Sequence, residues 1–105
     1  KIMKRIDWVI LPSYREGMPR TLLEAAASSL PIIATDVPGC REIVENNING
    51  FLCKPRDVES LKQSILKMMY LTIEERIKMG HSGRKIALEK FDDEIVVNVA
   101  LDAVR

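Results

Sequence analysis

The stretch VILPSYREGMPRTLLEAAASSLPIIAT, residues 9–35, decides the fold class of this chain. It opens with a continuous apolar run that ends at Pro12, and it closes with a second apolar run at 31–35. Between them, residues 19–29 are rich in alanine and leucine. They begin with proline, which suits a first helical turn because its missing N–H is not needed there. The stretch therefore predicts a strand, a helix and a second strand.

The alternation of strand and helix continues beyond this stretch. A short helix is predicted at 41–45, a turn at 47–50 and a third strand at 51–53. Strands that alternate with helices indicate right-handed βαβ units and a parallel sheet. The apolar runs are continuous rather than alternating, as expected for strands covered on both faces. The predicted fold class is α/β: half of a Rossmann-like doubly wound domain, with three short parallel strands and flanking helices.

Helices are predicted for the rest of the chain. Asp57 is placed to cap the first of them, whose apolar positions recur at helical spacing. Those positions are Val58, Leu61, Ile65 and Met68. Residues 74–91 are predicted to be helical, with a break expected near Gly80 and Gly83. A last helix is expected to begin at Asp92 or Asp93.

Composition excludes several classes of protein. The 105 residues have the size of one domain, and 16 basic against 15 acidic residues give a net charge of +1. This balance gives no electrostatic reason to expect binding to nucleic acid. No apolar run approaches the roughly 20 residues of a membrane span. Cys40 and Cys53 lack metal-binding spacing and are expected to be reduced thiols of a cytoplasmic protein.

The ends of the chain suggest a piece of something larger. The first residue is Lys1 rather than Met, and no partner strand is encoded before the first strand, at 8–11. We expect that strand to lie at an edge of the sheet, with backbone groups free to pair with another chain. A chain of this kind is expected to be marginally stable or to self-associate.

Two glutamates, Glu16 and Glu24, flank the start of the first predicted helix. In doubly wound sheets, ligands bind beyond the carboxyl ends of the strands, which is where residues 13–20 lie. Gly17 lets the backbone approach a ligand, and a helix beginning near Pro19 offers free N–H groups to a phosphate. Glu24, about one turn into the helix, is then placed to accept hydrogen bonds from a diol.

The residues by themselves leave two interpretations open. In the first, the two carboxylates flank a phosphate site and bind the ribose and the sugar of a nucleotide sugar. In the second, Glu16 is a loop residue, Glu24 is favoured by the helix dipole, and the alanines only allow close packing on the sheet.

The order of the motifs decides between them. The segment E-G-M-P-R-T-L-L-E, from Glu16 to Glu24, resembles the E-x₇-E motif of glycosyltransferase family 4. Its surroundings match in the same order: V-I-L-P-S before it, then E-A-A-A-S-S-L-P-I-I-A-T-D-V-P-G-C-R-E-I-V and N-G-F-L-C-K-P-R-D after it. The resemblance covers nearly the whole chain and is most specific over 9–57.

This resemblance implies a GT-B fold, in which two Rossmann-like domains enclose the active site. Residues 1–105 would be the latter part of the C-terminal nucleotide-sugar-binding domain, with the N-terminal acceptor domain absent. Glu16 is then the catalytic residue beside the transferred sugar. The other implied donor contacts are the backbone at Gly17, Met18 and Pro19 to sugar hydroxyls, the amides of Arg20, Thr21 and Leu22 to the diphosphate, and Glu24 to the ribose.

The resemblance also implies the chemistry. The full-length enzyme is expected to be a retaining glycosyltransferase that needs no metal or cofactor. Its expected donor is a nucleotide sugar, with UDP as the carrier, and its acceptor a glycan or a polyprenyl-linked glycan bound by the missing domain. We expect it to act in polysaccharide or cell-surface glycan synthesis, in the cytoplasm or peripherally at the inner face of the membrane.

Two departures from the family pattern bear on these expectations. Ser29 stands near the position where the family usually has a glycine that ends the helix. The arginine and lysine that neutralise the leaving diphosphate in the family lie before this segment, so the chain alone is expected to transfer no sugar. Two alternatives therefore remain: a non-catalytic nucleotide-binding half-domain, and a GT-B nucleotide-sugar epimerase.

Overall fold

Three parallel strands form the centre of the protein in the computed structural model, which describes residues 8–11 and 20–91. The order in the sheet is β1-β2-β3. Ile33 in β2 lies in register with Ile10 on one side and with Phe51 on the other. The elements are β1 (Val9–Leu11), α1 (Arg20–Ala27), β2 (Ile32–Thr35), α2 (Pro38–Arg41), β3 (Gly50–Cys53), α3 (Val58–Tyr70) and α4 (Ile73–Lys90). The predicted α/β class, with three short parallel strands and flanking helices, is confirmed.

The central strand, β2, is buried along its whole length, as its continuous apolar run predicts. Successive side chains of a strand point to opposite faces, so Ile32 and Ala34 lie in one apolar cluster and Ile33 in another. The first cluster contains the apolar face of α1, and the second contains Phe51 and Met68. Helices therefore cover both faces of the sheet.

β1 lies at an edge of the described sheet. It pairs with β2 and, within residues 8–11 and 20–91, with no other strand. This agrees with the edge position expected from the sequence.

Helix α1 ends in a turn that depends on Ser29. The amide of Leu30 donates to the carbonyl of Ala25 at 3.0 Å, and the amide of Ser29 donates to that of Ala26 at 3.0 Å. This pair of bonds requires a left-handed residue after the helix, and Ser29 adopts a φ of 64°. Because an L-residue in that region costs roughly 1–2 kcal/mol, Ser29 carries the cost that a glycine would avoid.

The helix predicted at 41–45 was wrong in its position. Helix α2 spans Pro38–Arg41, with Pro38 in its first turn and Val37 extended before it. Beyond Arg41 the helical pattern is interrupted, since the amide of Ile43 donates to the carbonyl of Cys40 at 3.1 Å; the amide of Glu45 then donates to the side-chain oxygen of buried Asn49 at 2.7 Å. The predicted turn that follows is confirmed, with Asn47 at a φ of 71°.

The break expected near Gly80 and Gly83 was also wrong, because α4 is continuous over Ile73–Lys90. The helix begins with a capping box in which Thr72 and Glu75 each accept from the other's backbone amide. Both glycines are buried, and they allow close approach rather than a break. A Cβ on Gly80 would lie 1.9 Å from the carbonyl oxygen of Ser29.

The predicted cap of α3 is confirmed, since the Asp57 carboxylate accepts from the amide of Ser60 at 2.9 Å. The predicted apolar stripe is wrong at its first position: Val58 is 82% exposed, whereas Met68 is fully buried. The last predicted helix, from Asp92 or Asp93 onward, lies outside the described residues. No helix in the described part of the chain is long and apolar enough to cross a membrane.

Candidate functional site

All three strands end at one edge of the sheet, which we call the carboxyl edge and define by Leu11, Thr35 and Cys53. Helix α1 connects two parallel strands, so it runs back antiparallel to them and its first turn lies at this edge. The carboxyl edge is where open α/β sheets bind ligands.

Three of the residues expected to contact the sugar donor lie in the first turn of α1, and they differ in exposure. Arg20 and Thr21 are exposed, whereas the side chain of Leu22 is fully buried in the apolar cluster. Leu22 can therefore offer a ligand only its backbone. In a helix that begins at Arg20, the amides of the first turn have no intrahelical acceptor and carry the positive end of the helix dipole. This arrangement suits a phosphate group.

Glu24 lies one turn further along the same helix, with its side chain 31% exposed. Its Oε2 accepts from Nε of Arg20 at 3.2 Å, and the Arg20 side chain is 60% exposed. Exposed pairs of this spacing contribute only about 0.3–0.5 kcal/mol, so a ligand can displace or share the pair at little cost. Among the described residues, the bond that Glu24 accepts is the one from Arg20 to Oε2.

The other half of the predicted donor site lies outside the described residues. It comprises Glu16, Gly17, Met18 and Pro19. The juxtaposition of Glu16 and Glu24 therefore stays a prediction.

A second feature of the carboxyl edge is an ion pair beyond β2. Nε of Arg41 donates to Oδ1 of Asp36 at 2.6 Å, and both side chains are about half exposed. The pair joins the end of β2 to the end of α2. The sequence placed Arg41 inside a helix at 41–45, so this contact was missed.

A third feature is a depression of about 270 Å³ between the ends of β2 and β3 and the start of α3. We call it the β3 depression. Its lining residues are Thr35, Cys53, Lys54, Arg56, Asp57, Val58 and Leu61. Of residues 54–57, only Asp57 was given a role from the sequence, as a helix cap. Two cations directly after a strand, followed by a helix cap, were the signal that could have identified it.

The two cysteines lie close to this edge and are both buried as free thiols. Burial raises the pKa of the Cys40 thiol and of the Cys53 thiol above the ordinary value of 9.0, although hydrogen bonds involving Thr35 lower the pKa of both. Both groups are therefore neutral near pH 7 and unreactive as nucleophiles. Their role here is packing.

The remaining titratable candidates do not form a second centre. His81, the chain's single histidine, is exposed on α4, away from the carboxyl-edge residues in sequence. Within residues 8–11 and 20–91, no group of three or more His, Cys, Asp or Glu side chains is placed to hold a metal ion.

Comparison with known proteins identifies a family and several similar glycosyltransferases. Residues 1–86 match the family described as glycosyl transferases group 1. The chain is 32% identical over 89 residues to the capsular polysaccharide biosynthesis glycosyltransferase CapM of Staphylococcus aureus, covering 83% of this chain and 23% of CapM. It is 28% identical over 96 residues to N,N'-diacetylbacillosaminyl-diphospho-undecaprenol alpha-1,3-N-acetylgalactosaminyltransferase of Campylobacter jejuni, covering 91% of this chain and 25% of that enzyme.

The fold matches a solved structure as well. Alr3699/HepE of Anabaena, crystallised in complex with UDP and glucose, superposes with a TM-score of 0.71 at 26% identity. The match covers 93% of this chain and 26% of that protein. The chain thus spans about a quarter of the length of the relatives it matches.

Proposed function

The chain belongs to the glycosyl transferases group 1, and we propose that it is the latter part of the C-terminal donor-binding domain of a retaining glycosyltransferase of family 4. The full-length enzyme would transfer a sugar from a UDP-sugar to a glycan or lipid-linked acceptor. The observation that carries this proposal is the first turn of α1. A helix start, which favours anions, and the partly exposed carboxylate of Glu24 lie on the same helix at the carboxyl edge.

The choice of UDP is supported by a relative of the same fold. Alr3699/HepE was crystallised with UDP and glucose, and this chain superposes on about a quarter of it. In the proposed binding mode, the amides of Arg20, Thr21 and Leu22 face the diphosphate, and Glu24 accepts from the ribose hydroxyls. The backbone at Gly17, Met18 and Pro19 faces the sugar.

The two glutamates would have different tasks. The ribose does not react, so contacts from Glu24 are equally strong in the ground state and the transition state. Glu16 would lie beside the sugar, where positive charge develops as the glycosidic bond breaks. A carboxylate there stabilises the transition state more than the bound donor. No metal or cofactor has a part in this scheme.

The acceptor side of the proposal is supported by the relatives. CapM is named for capsular polysaccharide biosynthesis, and the Campylobacter enzyme for transfer to a diphospho-undecaprenol-linked sugar. We propose an acceptor of the same general class, bound mainly by the other domain, and a cytoplasmic enzyme that meets lipid-linked acceptors peripherally at the inner face of the membrane.

The test is donor kinetics of the full-length enzyme with Glu24→Ala and Glu16→Ala, together with calorimetric titration of UDP. Glu24→Ala should raise the donor KM and weaken UDP binding by roughly 10- to 150-fold, the loss of one or more charge-assisted hydrogen bonds. Glu16→Ala should lower kcat more than it weakens UDP binding.

Glu42→Ala is a suitable control, since Glu42 is also a glutamate and is exposed, but it lies after α2 rather than on α1. It should leave all these quantities unchanged. Loss of UDP binding in Glu16→Ala, with UDP binding intact in Glu24→Ala, would show that the roles are reversed. Wild-type kinetics in both variants would refute the proposed donor site.

A further inference from the structure

The β3 depression has no task in the donor site proposed above. The donor helix α1 follows β1, whereas the depression lies beyond β2 and β3, at the same carboxyl edge. Both features lie at the carboxyl edge, but α1 packs on one face of the sheet and Leu61 of α3 packs on the other. A group bound in the depression would therefore approach the donor across the edge of the sheet rather than lie on it.

The lining of the depression carries a net positive charge. Lys54 supplies a cation beside the carboxylate of Asp57, and Arg56, which also has an interaction of its own, lines the same depression. That carboxylate is already engaged, because it caps α3 by accepting from the amide of Ser60. The ammonium group of Lys54 makes no ion pair with the residues that the structure describes, although its backbone amide is held by the Ser60 hydroxyl at 2.9 Å. The positively charged side chain of Lys54 thus extends from a backbone position that the bond to Ser60 holds in place.

An exposed aliphatic surface adjoins these cations. Val58 is 82% exposed at the start of α3, and Leu61, one turn later, also lines the depression. Helical spacing predicts that Val58 is buried, but the structure exposes it. An apolar side chain therefore lies beside Lys54 and Arg56 at a position where contact with water favours a polar residue. The volume of about 270 Å³ lies just below the usual range of about 300–1,000 Å³ for complete small-molecule pockets. The depression therefore suits one part of a larger ligand.

We propose that the β3 depression binds the phosphate group of a polyprenyl-linked acceptor, with Lys54 and Arg56 facing the phosphate oxygens and Val58 and Leu61 contacting the first part of the hydrocarbon chain. Cations beside an aliphatic surface match a phosphate esterified to a lipid better than they match a free anion or a neutral sugar. This inference rests on the proposed function and assigns an acceptor contact to a domain that otherwise binds the donor.

The kinetic test uses the full-length enzyme with Lys54→Glu. The KM for a polyprenyl-diphosphate-linked acceptor should rise about 10-fold or more, whereas the donor KM and the affinity for UDP stay at the wild-type values. The same glycan acceptor without phosphate or lipid should show no change. Lys62→Glu is the matched control, because Lys62 is an exposed lysine on α3, close in sequence to Lys54, but does not line the depression.

A binding test separates the phosphate from the lipid. Farnesyl diphosphate and inorganic pyrophosphate are titrated into the wild type, Lys54→Glu and Val58→Ser, and the fold of each variant is checked by circular dichroism. Lys54→Glu should weaken both probes. Val58→Ser changes an exposed side chain and should weaken farnesyl diphosphate alone.

Several results would overturn the inference. An unchanged acceptor KM in Lys54→Glu, or an equal rise in Lys62→Glu, would show that the depression has no specific role. A rise in the donor KM would assign its cations to the phosphates of the nucleotide. If the wild type transfers no sugar from any nucleotide sugar, the proposed function fails. Lys54-dependent binding of farnesyl diphosphate would even then support the site, and its absence would refute it.

Discussion

The amino edge of the sheet is closely packed, whereas exposed polar side chains surround the carboxyl edge. At the amino edge, Gly80 of α4 lies against the carbonyl of Ser29, and Asn49 is fully buried against Gly83. At the carboxyl edge, Arg20, Asp36 and Arg41 are exposed or half exposed, and each takes part in an ion pair. The difference separates two tasks: the amino edge holds the helices on the sheet, and the carboxyl edge has side chains available to a ligand.

The largest effect on stability is expected from Gly80→Ala, which disturbs the packed amino edge. The added Cβ would lie 1.9 Å from the carbonyl oxygen of Ser29, so α4 must move away from α1. We expect a loss of about 3 kcal/mol in the free energy of unfolding, measured by urea denaturation. His81→Ala, at the exposed neighbouring position, should change it by less than about 0.5 kcal/mol. Alanine is the better helix former, so a stabilised Gly80→Ala variant would show that the close contact does not exist.

A second test of the packed edge is Asn49→Ala. The Asn49 side chain accepts from the amide of Glu45 at 2.7 Å and donates to the carbonyl of Ile43 at 3.0 Å, all in a fully buried position. Its removal leaves two backbone groups without partners, and we expect a loss of about 2–3 kcal/mol by the same measurement.

Asn46→Ala is the control for this change, because Asn46 is exposed and makes a single bond to the amide of Leu52. It should cost about 1 kcal/mol or less. Equal losses in the two variants would remove burial as the cause.

Ser29→Gly should stabilise the packed amino edge by removing backbone strain. Ser29 has a φ of 64°, where an L-residue costs roughly 1–2 kcal/mol, and glycine loses about 0.5–1 kcal/mol of that gain through backbone entropy. We expect the melting temperature to rise with a net gain of about 0.5–1 kcal/mol. A drop in the melting temperature would mean that the serine side chain contributes more than its backbone strain costs.

The smallest effect is expected at the carboxyl edge. A double-mutant cycle with Asp36→Ala and Arg41→Ala should give a coupling energy of about 0.5 kcal/mol, since the pair is half exposed. The coupling should shrink further in roughly 1 M salt, where the Debye length falls to about 3 Å. A coupling energy above about 2 kcal/mol would show that this edge also supports the fold.

Local patterns predicted the regular parts of the molecule well. The apolar run at 31–35, the alanine-rich face of α1 and the capping aspartate Asp57 behave as the sequence indicates. The clearest error lies where a distant residue competes with local preference. Gly80 lies against the carbonyl of Ser29 and Gly83 against the side chain of Asn49, so two expected helix breakers are contact positions on α4.

The candidate site also has parts that the sequence predicted and parts that only the structure revealed. Motif order identified Glu24 and the start of α1, and the structure brings both to the carboxyl edge. The β3 depression was not predicted, because no local pattern says which side chains from the ends of β2, β3 and α3 face one another. The exposure of Val58 was missed for the same reason, since helical spacing gives the direction of a side chain and not what covers it.

The sequence by itself determined the α/β class, the parallel sheet and the family. The alternation of apolar runs and the order of motifs depend only on the order of residues along the chain. Only the tertiary structure decided that α4 runs unbroken past Gly80 and which charges surround the β3 depression. The physical reason is that these features depend on contacts between segments far apart in the sequence. The close approach of Gly80 to the backbone of Ser29 overrides the local preference of glycine for ending a helix.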